Sequence, residues 1–343
     1  MINNFITGSV QVNELTVPQV SELLLFKDYL GAVMVRWGIN RNNYRINPGL
    51  YAIGTPDNSS DVFVTANYKL SFDNLRKNLS GINGWILVLD TKGINVWCAA
   101  GKGTFGTKEL ASRIKSASLD KIVDHRRIIV PQLGATGVAA HKVKEDTGFN
   151  VHYGPVRASD IKEFLEAGYR ATKEMRKITF TFKDRIKLIP NDFIYGKFYL
   201  LGAFAVVFLL SLISSTGFSF RNSLNNGLAG MLNVLLAYCS GVVITPALLP
   251  YIPFRQFSIK GFITGFLLAL ILLLMKMTGS NIPQNIAWFL IVSAVSSFLA
   301  MNFTGSSTFT SLSGVKKEMK TALPLQIIFS VAGIVLLITG RLI

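Results

Sequence analysis

From Lys197 to its last residue the chain is nearly free of charge, and this run limits its possible folds more than any other feature. Glu318 is the only acidic residue in it. Five apolar segments fill it, at residues 198–215, 228–249, 262–277, 286–301 and 323–340. Each approaches the ~20 residues that a helix needs to cross a hydrocarbon layer about 30 Å thick. A bundle of five transmembrane helices is therefore expected. None of the five carries a charged residue near its centre, which argues against an ion- or proton-coupled transporter. An anchor or docking platform is the expected role, with Cys239 in the second segment as a small packing residue.

The basic residues give an orientation. Arg170, Lys173, Arg176, Lys177, Lys183, Arg185, Lys187 and Lys197 precede the first span, Arg255 and Lys260 fall in the second loop, and Lys316, Lys317 and Lys320 in the fourth. The other side offers Arg221, Lys276 and Arg341. The positive-inside rule then puts the N-terminal head in the cytoplasm and the C-terminus outside a cytoplasmic (inner) membrane crossed several times. The same distribution explains a net charge of +16 as a face toward membrane lipid. No long Lys/Arg run with interleaved aromatics calls for nucleic acid. Residues 1–15 lack a charged start followed by an apolar core, so no secretory signal is expected there. Two separate cysteines, Cys98 and Cys239, make neither a disulfide framework nor a paired-cysteine metal site.

The division expected is a head at 1–177, a juxtamembrane linker at 178–196 that breaks at Pro190, and a five-span domain at 197–343. The head alternates strand and helix patterns. Residues 61–65 (DVFVT), 85–89 (WILVL), 94–97, 127–130 and 149–153 read as extended. Residues 72–79, 107–114, 137–145 and 159–165 read as helical, with Thr107 and Ser159 as caps. This rhythm predicts an α/β head with a mainly parallel, Rossmann-like sheet and helices on both faces. Such sheets bind ligands beyond the carboxyl ends of their strands. The loops at 95–106, 132–137 and 154–157 all follow strand candidates.

The run Asn95-Val-Trp-Cys98-Ala-Ala-Gly-Lys102-Gly places a lone cysteine where a glycine-rich turn enters a helix. Helix N-termini favour negative charge, so a thiolate there would serve as nucleophile or metal ligand; a buried free cysteine is the plain alternative. A P-loop is excluded, because Val96 and Gly103 stand where glycine and Ser/Thr are required. His125, His141 and His152 have no metal-ligand spacing and read as surface or packing residues. Asp124 and His125 are adjacent, so the Asp-x-His-x-x-Gly motif of histidine-ligated cobalamin enzymes is absent.

Several separated runs resemble the corrinoid-binding domain of corrinoid iron–sulfur proteins: Arg36-Trp-Gly-Ile, Pro48 to Gly54, Val64 to Arg76, Pro131 to His141 and Tyr153 to Ile161. They cover most of residues 35–168. The four-cysteine cluster site of those proteins is missing, so no iron–sulfur cluster is expected in this chain. Residues 95–102 together with the five-span tail resemble the mercury-methylating corrinoid protein family. That resemblance implies a corrinoid (cobalamin) cofactor and a methyltransferase passing a methyl group from cobalt to inorganic Hg(II). It implies Cys98 as catalytic residue and lower axial cobalt ligand. It implies a corrinoid site formed by Thr65, Asn95, Val96, Trp97, Cys98, Ala99, Gly134, Ala135, Gly137, Tyr153, Gly154 and Pro155. Val96 and Trp97 would form an apolar shell, and Gly134, Gly137 and Gly154 would let backbone approach the macrocycle. The implied partners are a small ferredoxin with two four-iron clusters as electron donor and a methyl-donor methyltransferase. A membrane-tethered methyl carrier of one-carbon metabolism is the alternative function.

Overall fold

The computed structural model describes residues 4–213, 220–306 and 312–343. The chain separates into two compact units, Met1–Val35 with Ile39–Ile178, and Arg36–Gly38 with Thr179–Ile343.

The first unit contains β1 (Ile6–Val12), β2 (Leu15–Val20), α1 (Phe26–Arg36), β3 (Gly49–Ile53), β4 (Asp61–Ala66), α2 (Lys69–Asn78), β5 (Gly84–Leu89), α3 (Val96–Lys102), α4 (Thr107–Ser116), β6 (Arg127–Val130), α5 (Ala140–Thr147), β7 (Asn150–Tyr153) and α6 (Ile161–Glu166). The strands form one sheet in the order β1-β2-β3-β5-β4-β6-β7. Its β5-β4-β6-β7 part is parallel throughout, and β2 also pairs parallel with β3. β1 with β2 and β3 with β5 are antiparallel, so the sheet is mixed. Side chains alternate across it. Val62, Val64, Leu87 and Leu89 pack with Ala99, Leu110 and Ile114 on one face. Phe63, Ile86 and Val88 pack with Phe72, Leu75 and Phe164 on the other. Each such fully buried side chain contributes about 1.5–3 kcal/mol.

Three local expectations are corrected. Residues 94–97 are not a strand, since Val96 opens α3, which the Asn95 side chain caps. Thr107 is the first residue of α4 rather than its cap; its hydroxyl accepts the Ala139 N–H at 2.9 Å and so ties α4 to the following loop. Ser159 caps nothing, because its hydroxyl bonds to Asp160 at 2.8 Å.

Beneath α1 lies a buried ion network. Lys69 Nζ is 2.6 Å from Asp28 Oδ1 and 2.6 Å from Asp73 Oδ2. Arg76 reaches Asp28 Oδ2 and Asp73 Oδ1, both at 2.8 Å. Burial alone would raise the Asp28 carboxyl. The hydrogen bonds from Lys69 and the Leu25 N–H, with the charges of Lys69 and Arg76, outweigh it and hold the carboxyl below its ordinary range. The folded-state pKa is therefore below the unfolded value of about 3.9. The stabilisation is complete above that value and is lost as pH falls through the folded-state pKa. Acid titration of wild type and Asp28→Asn is expected to show a constant stability gap down to about pH 4, closing below it. A gap that persists at lower pH would contradict this reading.

The second unit contains α7 (Phe182–Ile186), α8 (Ile189–Tyr195), α9 (Lys197–Ser211), α10 (Phe220–Cys239), a π-helical turn (Ser240–Ile244), α11 (Thr245–Leu248), α12 (Phe257–Leu274), α13 (Ile282–Asn302) and α14 (Leu312–Leu342). Pro190 does not break this region; it sits in the first turn of α8, where its missing N–H costs nothing. Among the described residues, four helical stretches are long and apolar enough to cross a membrane: Ser223–Leu248, Phe257–Leu274, Ile282–Asn302 and Ser313–Leu342. A fifth is reached only if Phe182–Tyr195 and Lys197–Ser211, bent by 54°, count as one span. The end of the first expected segment, 214–215, lies outside the described residues. Lys260, expected in a loop, lies in the first turn of α12. There it is buried and donates to the Leu249 and Ile252 carbonyls at 2.5 and 2.6 Å, groups that the preceding helix end leaves open. Hydroxyls join the helices inside: Ser240 to Ser296 at 2.9 Å, and Thr245 to Thr264 at 2.6 Å. Small residues at such crossings are what close helix packing in lipid requires.

Candidate functional site

A cleft of about 300 Å³ opens beyond the carboxyl ends of β4, β6 and β7, the place where a parallel sheet leaves room for a ligand. Thr65 comes from the end of β4, Pro131 and Leu133 from the loop after β6, and Gly154, Pro155 and Val156 from the loop after β7. Asn95, Val96 and Trp97 enter from the start of α3. Ser71, Asn74 and Leu75 of α2 close another side. No charged residue lines it.

The position of α3 is set by Asn67. This side chain is 2% exposed. Its Oδ1 accepts the N–H groups of Thr91 at 3.1 Å and Gly93 at 2.9 Å, and its Nδ2 donates to Asp90 at 3.0 Å. The Thr91 hydroxyl donates to the Ile94 carbonyl at 2.6 Å. The loop so fixed delivers Asn95, whose Oδ1 accepts the Cys98 N–H at 2.9 Å and begins the helix. Gly103, with φ 79°, ends it in the left-handed conformation that glycine adopts without cost. Replacing Asn67 with alanine leaves the Gly93 N–H without its acceptor, while the Thr91 N–H keeps the Leu89 carbonyl at 3.1 Å, and is expected to lower stability by about 1–3 kcal/mol. Chemical denaturation followed by tryptophan fluorescence measures it; a loss under about 0.5 kcal/mol, the scatter of ordinary surface changes, would contradict the assignment.

The cleft brings together Thr65, Asn95, Val96, Trp97, Gly154 and Pro155 of the expected corrinoid residues. Cys98 is on the same helical turn, next to the cleft-lining Trp97. It is exposed and does not itself line the cleft. Ala99 is fully buried in the core. Gly134 and Gly137 lie behind the cleft. A Cβ on Gly134 would run into the Phe105 ring, and one on Gly137 into the Phe105 carbonyl and Ala100, so both serve internal packing. Ala135 follows Gly134 in the same short helical turn outside the cleft lining. Tyr153 donates its hydroxyl to the Val138 carbonyl at 2.7 Å. Sequence reasoning missed Ser71, Asn74, Leu133, Val156 and Ala158. Ser71 and Asn74 lie one helical turn apart, at i and i+3, which is the signal that could have paired them.

Two polar features mark the cleft. Thr65 is 3% exposed, and its hydroxyl makes no hydrogen bond among the described residues. Trp97 is 42% exposed although it is a large aromatic. None of the histidines lines the cleft. His125 bonds to the Ser60 carbonyl at 3.0 Å, and burial with the nearby Arg127 charge pushes His152 below its ordinary pKa. Among the described residues no three His, Cys, Asp or Glu side chains gather as a metal site. The residues that line the cleft include no His, Cys, Asp or Glu.

Residues 38–165 match the family described as CO dehydrogenase/acetyl-CoA synthase delta subunit. The acetyl-CoA decarbonylase/synthase complex subunit gamma of Archaeoglobus fulgidus is 32% identical over 131 residues, 38% of this chain and 27% of that protein. The corrinoid/iron-sulfur protein large subunit of Moorella thermoacetica is 34% identical over 125 residues, 36% of this chain and 28% of that protein. The chain spans little more than a quarter of the length of the curated relatives it matches. Both the cleft and Cys98 fall inside the matched stretch.

Proposed function

We propose that the head binds a corrinoid over this cleft and takes part in methyl transfer, and that the apolar helices hold it at a membrane. The observation that carries this reading is a charge-free cleft at the strand carboxyl ends, inside the stretch similar to a corrinoid/iron-sulfur protein. The residues suit a large, flat, amide-bearing macrocycle. Gly154 and Pro155 keep the rim low, Trp97 offers an uncovered ring face, and the Thr65 hydroxyl awaits a partner.

When bound, a corrinoid would supply a cobalt-held methyl group, and a protein thiolate donor would make that group more electron-rich, as thiolate ligation does for haem iron. Cys98 is the side chain that provides such a donor. Asn95 fixes its backbone through the helix cap. Val96 and Trp97 would give the macrocycle an apolar wall, and Thr65 would orient it by a hydrogen bond. Hg(II) is the acceptor substrate in this reading, giving methylmercury. Two features favour it over a plain methyl carrier: the sequence Asn95 to Lys102 around a single sulfur donor, and the apolar tail. In this reading a small two-cluster ferredoxin would supply the electrons and a methyl-donor methyltransferase the methyl group, with the head on the cytoplasmic side.

Reconstitution of the full chain in detergent with cobalamin tests the binding step. One corrinoid per chain is expected. Ala158→Trp, which fills the cleft, should abolish retention, and Thr65→Val should weaken it by about tenfold, the equivalent of one buried hydrogen bond of ~1.4 kcal/mol. Retention unchanged by Ala158→Trp would place the cofactor elsewhere.

A further inference from the structure

Helix α1 is turned inside out relative to an ordinary surface helix. Its single acidic residue, Asp28, points into the protein and is consumed by Lys69 and Arg76. Its outward side is apolar: Phe26 is 79% exposed, Tyr29 49%, Leu30 46% and Val33 50%. The spacing at 26, 29, 30 and 33 puts these on one helical face. Leu23 and Leu25 extend the patch, at 68% and 50% exposed. This arrangement is locked rather than loose. Arg76 donates to the Ser21 and Leu23 carbonyls at 2.6 and 2.8 Å, and the Leu25 N–H donates to Asp28 at 3.0 Å. A buried four-residue ion network thus holds an apolar helix face toward the outside. Soluble surfaces do not carry contiguous patches of this kind unless something covers them.

The charges say what covers it. With Asp28 turned inward, the charged residue that α1 exposes beside this face is Lys27, which is basic. Lys77 stands 5.8 Å over the Tyr29 ring, adding a second cation at the edge of the patch. Aromatic and aliphatic residues flanked by cations, with no exposed acid on the helix, match the headgroup region of an anionic bilayer. The same chain carries at least four helices long and apolar enough to cross such a bilayer. We propose that α1 is an interfacial membrane-docking helix, seated in anionic lipid headgroups through Phe26, Tyr29, Leu30 and Val33. This holds whether or not the cleft binds a corrinoid.

The test uses the full chain with Cys98 and Cys239 replaced by serine and one nitroxide-labelled cysteine at a time, in phosphatidylcholine vesicles with and without phosphatidylglycerol. The label goes at Val33 on the exposed face, at Lys115 of α4 as a solvent control, and at Ile271 of α12 as a bilayer control. Power-saturation EPR with oxygen and a nickel chelate reads depth. The Val33 label should approach the Ile271 label in oxygen access and lose nickel access, more so with phosphatidylglycerol, while Lys115 stays aqueous. Adding Leu30→Glu and Lys27→Glu should return Val33 to aqueous values. A Val33 label that is aqueous in both lipids while Ile271 is in the bilayer overturns the proposal. So does shielding of Val33 from oxygen and nickel together, which would mean a protein partner.

Discussion

Replacing Cys98 with alanine is expected to abolish methyl transfer to Hg(II) and to change the visible absorption of bound cobalamin. Activity should fall by more than about 100-fold, beyond the range seen when only an outer partner of a metal ligand is removed. The fold should survive, because the exposed Cys98 side chain supports nothing in the core; its helix is held by the Asn95 cap and by buried Val96, Ala99 and Ala100. Cobalamin binding should therefore persist in the alanine variant with an altered spectrum. Cys239→Ala should leave transfer largely intact. A Cys98 variant with wild-type spectrum and turnover would remove the sulfur donor from the account.

Arg76→Met is the substitution expected to cost most stability. The guanidinium is fully buried and serves Asp28, Asp73 and two backbone carbonyls. Methionine fills part of the volume but leaves two buried carboxylates sharing Lys69 alone. Removing one partner of a buried ionic network costs about 3–5 kcal/mol, against a total of about 5–15 kcal/mol for a typical domain. Chemical denaturation of the variant should show that loss. Because the network also holds α1 in place, limited proteolysis should cut near residues 21–37 first. A loss below about 1 kcal/mol would mean the network is not what fixes α1.

These residues also show where sequence reasoning ran out. Val64 to Arg76 was legible as part of a corrinoid-domain pattern, yet Lys69, Asp73 and Arg76 within it serve the ion network. Their partner, Asp28, lies 41 residues before Lys69, a distance no local period encodes. Strands β4, β5, β6 and β7 were legible because buried parallel strands are short β-branched runs bounded by turns. The hairpin of β1 and β2 was not: β1 is largely exposed, so its alternation carries little hydrophobic contrast. Its turn signal, Asn13 at φ 55°, was overlooked. The antiparallel pairing of β3 with β5 likewise escaped, and with it the mixed character of the sheet. At the site, the carboxyl-end loops were found because strand endings mark them. Asn95 was missed as a cap because Ile94 to Trp97 reads as extended when the side chain's bond to Cys98 N–H is ignored. Ser71 and Asn74 were missed because two small polar residues on a helix look like an ordinary solvated face. The apolar tail was the most legible part. Even there, the first span gave no hint of the 54° bend before α9.

Cobalt K-edge X-ray absorption on the full chain loaded with cobalamin, wild type against Cys98→Ala, tests the donor directly. A sulfur scatterer at cobalt in the wild type that disappears in the variant is the predicted result. A first shell of nitrogen and oxygen alone in the wild type would contradict it.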